Sequence, residues 1–178
     1  FSFKVTPLEE KLNPREYITD QYFDYAAQSS GRKLNKPEDD SLASDFPSIR
    51  TEVSGETAEG YVFLTVSRQI EDVGYYIMML ENDGTPFYYK KLPDDYAYDF
   101  KVQPNGLFSY AQFLEHFTYT GGGNVKHMVM DNSFTVVDSF QMGNGYAAEA
   151  HDFQMLPNGN ALLFGYDLQP MDLSDIGG

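Results

Sequence analysis

The chain contains no cysteine in its 178 residues, which excludes disulfides and thiol chemistry. Basic residues are scarce: 12 Lys and Arg stand against 27 Asp and Glu, a formal charge of −15. Phosphate recognition needs a basic groove, so this balance argues against a nucleic-acid partner. It also opposes docking on an anionic membrane. No run of about twenty apolar residues occurs, so no helical membrane span is expected. Histidine appears only as His116, His127 and His151, without the spacing of a zinc site. Arginine is limited to Arg15, Arg32, Arg50 and Arg68. The acidic pairs, Asp39-Asp40 and Asp172-x-x-Asp175, lack the ligand pattern of a dedicated calcium loop. Gly121-Gly122-Gly123 lacks the lysine and strand-to-helix setting of a phosphate loop and reads as a flexible turn. No Gly-x-Ser-x-Gly elbow occurs. No metal or cofactor is expected.

Aromatics and turn residues are plentiful. Fourteen Tyr and fourteen Phe favour strands and supply core, and fifteen Gly with nine Pro punctuate them. The sequence also repeats. Asp99-Phe100-Lys101-Val102-Gln103-Pro104-Asn105-Gly106 returns as Asp152-Phe153-Gln154-Met155-Leu156-Pro157-Asn158-Gly159, with 53 residues from Pro104 to Pro157. A strand follows each Pro-Asn-Gly, and Gly60 opens a weaker third copy 46 residues before Gly106. Between these strands lie two hairpins. Tyr75-Tyr76-Ile77-Met78-Met79-Leu80 turns through Glu81-Asn82-Asp83-Gly84 into Phe87-Tyr88-Tyr89. Val125-Lys126-His127-Met128-Val129-Met130 turns through Asp131-Asn132-Ser133 into Phe134-Thr135-Val136-Val137. Asn-Asp-Gly should supply the positive-φ positions of the first turn, and Gly106 and Gly159 those after Asn105 and Asn158.

A period near fifty residues points to repeats of one four-stranded antiparallel sheet, and so to an all-β, propeller-type fold. Two complete copies and part of a third are too few for a closed ring of four to eight blades. The expectation is two to three blades of a longer protein, over residues 47–178. Residues 1–46 read as an extension: a short helix over 15–27 behind Asn13-Pro14, then a polar linker from Ser29 to Asp45. A chain opening on Phe1-Ser2-Phe3 without methionine is expected to be processed. The strands Tyr61-Val62-Phe63-Leu64-Thr65 and Ala161-Leu162-Leu163-Phe164 are apolar on both faces, as strands between neighbouring sheets would be.

Glu149-Ala150-His151-Asp152-Phe153-Gln154-Met155-Leu156-Pro157-Asn158-Gly159-Asn160 resembles the His-Asp/Glu-Phe…Pro-Asn/Asp-Gly-Asn/Thr motif of the aryl sulfotransferase family. The glycine run, the Met130-Asp131-Asn132-Ser133-Phe134 turn and Met171-Asp172-Leu173-Ser174 resemble the same family in the same order. The resemblance spans residues 46–178. It implies an exported bacterial six-bladed β-propeller that moves a sulfuryl group from an aryl sulfate to a phenol through a histidine intermediate, without a nucleotide donor. It also implies further histidines and an arginine around the funnel. The nucleophilic histidine and that arginine would belong to blades beyond Gly178, so this segment by itself is expected to be inactive.

His151 replaces the Tyr98 of the earlier repeat, which makes it the catalytic, funnel-lining candidate; the competing reading is a residue that braces a neighbouring loop. Asp152 recurs as Asp99 and reads as structural. His116 and Arg68 are weaker candidates for the funnel wall. His127, in an apolar strand, reads as a core residue with a satisfied ring. The alternative to an enzyme is a non-catalytic propeller module that binds a protein, glycan or small aromatic compound.

Overall fold

The computed structural model describes residues 42–52, 58–66, 71–93, 95–117, 123–167, 169–172 and 174–176. All of them lie in the unit Lys33–Gly178. The helix expected over 15–27, Asp39-Asp40, Arg15, Arg32, Arg68 and Gly121-Gly122 fall outside the described residues.

Among the described residues nine strands follow in order: β1 (Val62–Thr65), β2 (Tyr75–Leu80), β3 (Pro86–Leu92), β4 (Ala97–Val102), β5 (Phe108–His116), β6 (Gly123–Met130), β7 (Val136–Phe140), β8 (Ala147–Met155) and β9 (Ala161–Tyr166). They form three antiparallel sheets of consecutive strands: β1-β2-β3, β4-β5-β6-β7 and β8-β9. The fold is all-β. No helix among the described residues is long and apolar enough to cross a membrane.

One turn chemistry joins the strands. In each of four hairpins the first turn residue accepts from the amide three positions on and donates to the carbonyl four positions on: Glu81 with Gly84 and Thr85, Gln103 with Gly106 and Leu107, Asp131 with Phe134 and Thr135, Leu156 with Gly159 and Asn160. The fourth residue must then take a left-handed φ, which glycine adopts without steric penalty. Gly84, Gly106 and Gly159 do so, at φ 90°, 88° and 83°. Asp83, Asn105 and Asn158 brace these turns by accepting from the amide two residues ahead. The other turn departs from the sequence reading. Phe134, expected to begin a strand, occupies the glycine position at φ 60°, and β7 starts only at Val136. Its ring stacks on Tyr88 at 3.8 Å and 9° and on Phe108 at 5.2 Å, which offsets the strained backbone. Gly123 also departs: it belongs to β6 rather than a flexible turn. A Cβ there would collide with the Glu115 carbonyl and the Phe113 ring.

Side chains alternate along β5, and this places the cores. Phe108 and Tyr110 point toward the first sheet, where they meet Ile77, Met79 and Leu92, with Phe100 of β4 in the same cluster. Ala111 and Phe113 point the other way and meet Ala148 and Ala150 of β8. On that same side, Val129 of β6 packs on Phe153 and Met155. The outer face of the first sheet carries Phe46 and Ile49, and Asp45 accepts from the Tyr76 hydroxyl at 2.7 Å. Asp45, read as the end of a linker, is thus fixed to the sheet.

The middle sheet alone has a described sheet on both sides. β1 and β9 are therefore covered on one face, contrary to the expectation of burial on both. Phe63 and Leu163 face cores, while Val62, Leu64, Leu162 and Phe164 are exposed, Phe164 by 63%.

Polar groups set the register between the second and third sheets. Gln103, buried at the end of β4, donates through Nε2 to Ser109 Oγ at 2.6 Å and to the Phe153 carbonyl at 3.0 Å. Its Oε1 accepts from the Met155 amide at 2.8 Å. Nearby, Lys101 Nζ donates to Asp152 Oδ1 at 2.6 Å and meets Asp99 Oδ2 at 2.8 Å as an ion pair outside hydrogen-bond angles. The two repeat-related aspartates therefore hold one ammonium between β4 and β8.

Phe153 is buried between Val129, Phe140 and the His127 ring. Phe153→Ala is expected to lower stability by roughly 3–5 kcal/mol. Denaturant unfolding would test this, and a loss below about 1 kcal/mol would contradict the packing described.

Candidate functional site

β8 carries the site because its pairing with β9 breaks. Ala148 pairs with Gly165 and Phe153 with Leu163, so residues 149–152 stand opposite the single residue Phe164. The related strand has a smaller break at the same place, with Asp99 and Phe100 opposite Tyr110 and Asp99 at φ 53°. Such bulges re-aim side chains. Here the bulge puts His151 at the surface with 74% of its side chain exposed.

Glu149 holds that histidine. Its Oε2 accepts from the His151 amide at 2.7 Å, and its Oε1 contacts both His151 Nδ1 and the Tyr166 hydroxyl, the latter at 3.2 Å. A carboxylate only accepts, so Nδ1 carries a proton, and the neutral tautomer that keeps this bond has its lone pair on Nε2. Burial works to raise the Glu149 carboxyl, but the His151 bonds outweigh it and hold the group below its ordinary value. The Tyr98 ring lies 5.9 Å from His151, so the two positions related by the repeat are neighbours in space.

His116 forms a second such pair. Its Nε2 meets Asp95 Oδ2 at 2.5 Å, and its ring stacks on Phe113 at 4.3 Å. Tyr96 lies 5.2 Å from His116 and 5.5 Å from Tyr98. The structure thus joins His116 and His151 by a row of tyrosine rings, each histidine having one nitrogen on a carboxylate. Asp95 and Glu149 were not singled out from the sequence. Glu149 carried a usable signal: residues two apart on a strand share a face.

His127 does not belong to this row. It is fully buried in β6 and stacks on Phe153 at 4.7 Å and 12°. Nε2 donates to the Glu149 carbonyl at 3.0 Å, while Nδ1 has no partner. The expectation of a satisfied ring holds for one nitrogen only. Burial pushes its pKa below the ordinary 6.5, with Lys101 adding to the shift.

Lys101, tied to Asp152 next to His151, is engaged. Burial alone would lower its pKa, but Asp152 and Asp99 outweigh burial and raise it. Asp99 itself is pushed above its ordinary value by burial, which Lys101 only partly offsets. Arg50 lies elsewhere on the surface, 3.7 Å from Glu52. Among the described residues no group of three His, Cys, Asp or Glu is arranged to hold a metal ion.

No family model, no curated protein and no solved structure matches the chain.

The buried imidazole has a pH consequence. Its folded pKa is below 6.5, so the unfolded chain binds more protons as pH falls through that value. Stability should then decline on acidification, with a limiting slope of about 1.4 kcal/mol per pH unit from this group. Asp99 has the opposite sign: its raised pKa makes acidification favour the folded state. Denaturant midpoints of the chain and His127→Phe, compared across pH, separate the two. The decline just below 6.5 should flatten in the variant, and an unchanged profile would remove His127 as its source.

Proposed function

We propose that these sheets are blades of an exported β-propeller and that the chain contributes part of an aryl sulfotransferase-like site, with an aryl sulfate as donor and a phenol as acceptor. Support for the propeller reading comes from the four-stranded meander β4-β5-β6-β7, its partial repeats on either side, and cores formed between successive sheets. The functional reading rests on the motif resemblance and on one observation: the exposed His151 ring with Nδ1 on Glu149 and Nε2 open beside Tyr98.

Charge selects the role of His151. Glu149 and the nearby Asp152 would repel a sulfonate carried on this imidazole, whereas Glu149 stabilises the imidazolium formed by proton capture. His151 therefore acts as the proton acceptor. As the phenol oxygen bonds to sulfur and the bond from sulfur to its carrier breaks, the phenolic proton passes to Nε2. The tyrosine row supplies a surface for the aromatic acceptor.

A second reading has its own support. Lys101, next to this site, is held by two aspartates, which leaves it poorly disposed to receive a sulfate. A non-catalytic module that binds an aromatic compound at the tyrosine row accounts for that arrangement.

Transfer of sulfate from 4-nitrophenyl sulfate to phenol by the natural gene product separates the readings. His151→Ala should lower transfer roughly 10²–10⁴-fold in a folded protein, and Glu149→Gln should lower it less. Unchanged transfer in His151→Ala would remove the proton-acceptor role. No transfer by the folded parent protein would leave the binding module.

A further inference from the structure

A separate groove of about 700 Å³ lies beside the loop between β7 and β8. The loop is shaped by a turn in which the Tyr146 amide donates to the Gly143 carbonyl at 3.2 Å, with Asn144 and Gly145 at φ 58° and 84°. Met142 packs against β9 over Gly165, where a Cβ would lie 2.6 Å from the methionine Cε. The loop is thereby held against the strand that ends in Tyr166.

The groove's chemistry is one-sided. Glu115 and Asp167 line it, and among the described residues no lysine or arginine does. An anionic ligand is disfavoured there, and the net charge of −15 raises the local concentration of cations. A bare divalent ion lacks a ligand set, since no metal-type cluster occurs among the described residues. Three rings also line the groove: Phe117, Tyr146 and Tyr166. Phe117 and Tyr166 meet at 71° with centroids 5.9 Å apart, so they form two adjoining walls of a corner. Tyr166 is pre-set by its bond to Glu149, and Tyr146 is 44% exposed and available to a ligand.

Aromatic walls set at a steep angle with carboxylates beside them suit a cation whose charge is spread over apolar groups. We propose that this groove binds a small organic cation of the quaternary-ammonium or alkylammonium class. The rings receive the alkylated head and the carboxylates balance its charge. This inference does not depend on sulfuryl transfer.

Choline is the probe, titrated into the chain by calorimetry. Saturable binding that weakens with added salt is expected. Tyr146→Ala, at a position 44% exposed, should weaken it about twofold to thirtyfold with the fold retained. Glu115→Gln combined with Asp167→Asn should weaken it and reduce the salt dependence. Absence of saturable choline binding by the folded chain would overturn the proposal, as would equal affinity in Tyr146→Ala. Binding of neutral maltotriose in place of choline would also overturn it, pointing to a carbohydrate groove.

Discussion

Everything at the candidate site depends on the register between β4 and β8, and the buried Gln103 amide sets it. Apolar faces such as Ala111, Phe113, Ala148 and Ala150 give attraction without a fixed alignment. The Gln103 side chain meets one backbone carbonyl and one backbone amide of β8, so a slip of one residue would leave buried polar groups unpaired. The Lys101 ammonium between Asp99 and Asp152 adds a charged tie nearby. This pair of ties brings Tyr98 beside His151 and seats His127 against Phe153.

The two ties differ in character. Gln103 is neutral and buried with both ends of its amide used, which makes it insensitive to pH. The charged tie is partly exposed, and its aspartates occupy unlike environments: burial raises Asp99, while Asp152 is more open to solvent. Repetition in the sequence has thus given one residue type two different tasks. The same divergence separates Tyr98, packed against the second core, from His151, turned outward at the same repeat position by a larger bulge.

The strands and most turns were legible because their chemistry is local. Asn105-Gly106 and Asn158-Gly159 announce a left-handed residue, and alternating aromatics announce the flanks. Phe134 was not legible as a turn residue, since the ring contacts that offset its backbone come from Tyr88 and Phe108, remote in sequence. The burial of β1 and β9 was misjudged for a related reason: an apolar strand shows that it can be covered, not how many sheets cover it. At the site, His151 and His116 were visible as candidates. Glu149 lies two residues from His151 and was readable in the strand pattern, whereas Asp95, the full tyrosine row and the groove beside the β7–β8 loop arise from strand pairing and inter-sheet packing, which no single stretch encodes.

The order of pairing within the sheets bears on how the chain is made. Each sheet consists of consecutive strands, so its ladders close over short loops. A ribosome releasing the chain from its N-terminus would deliver β4 through β7 as a pairable set before β8 emerged. In that interval Gln103 would have only Ser109 as a side-chain partner, and Lys101 only Asp99. The arrival of β8 would satisfy both and cover the apolar face beside them. Synthesis would then add sheets in sequence, with the first strand of the third sheet completing the polar contacts left open by the second.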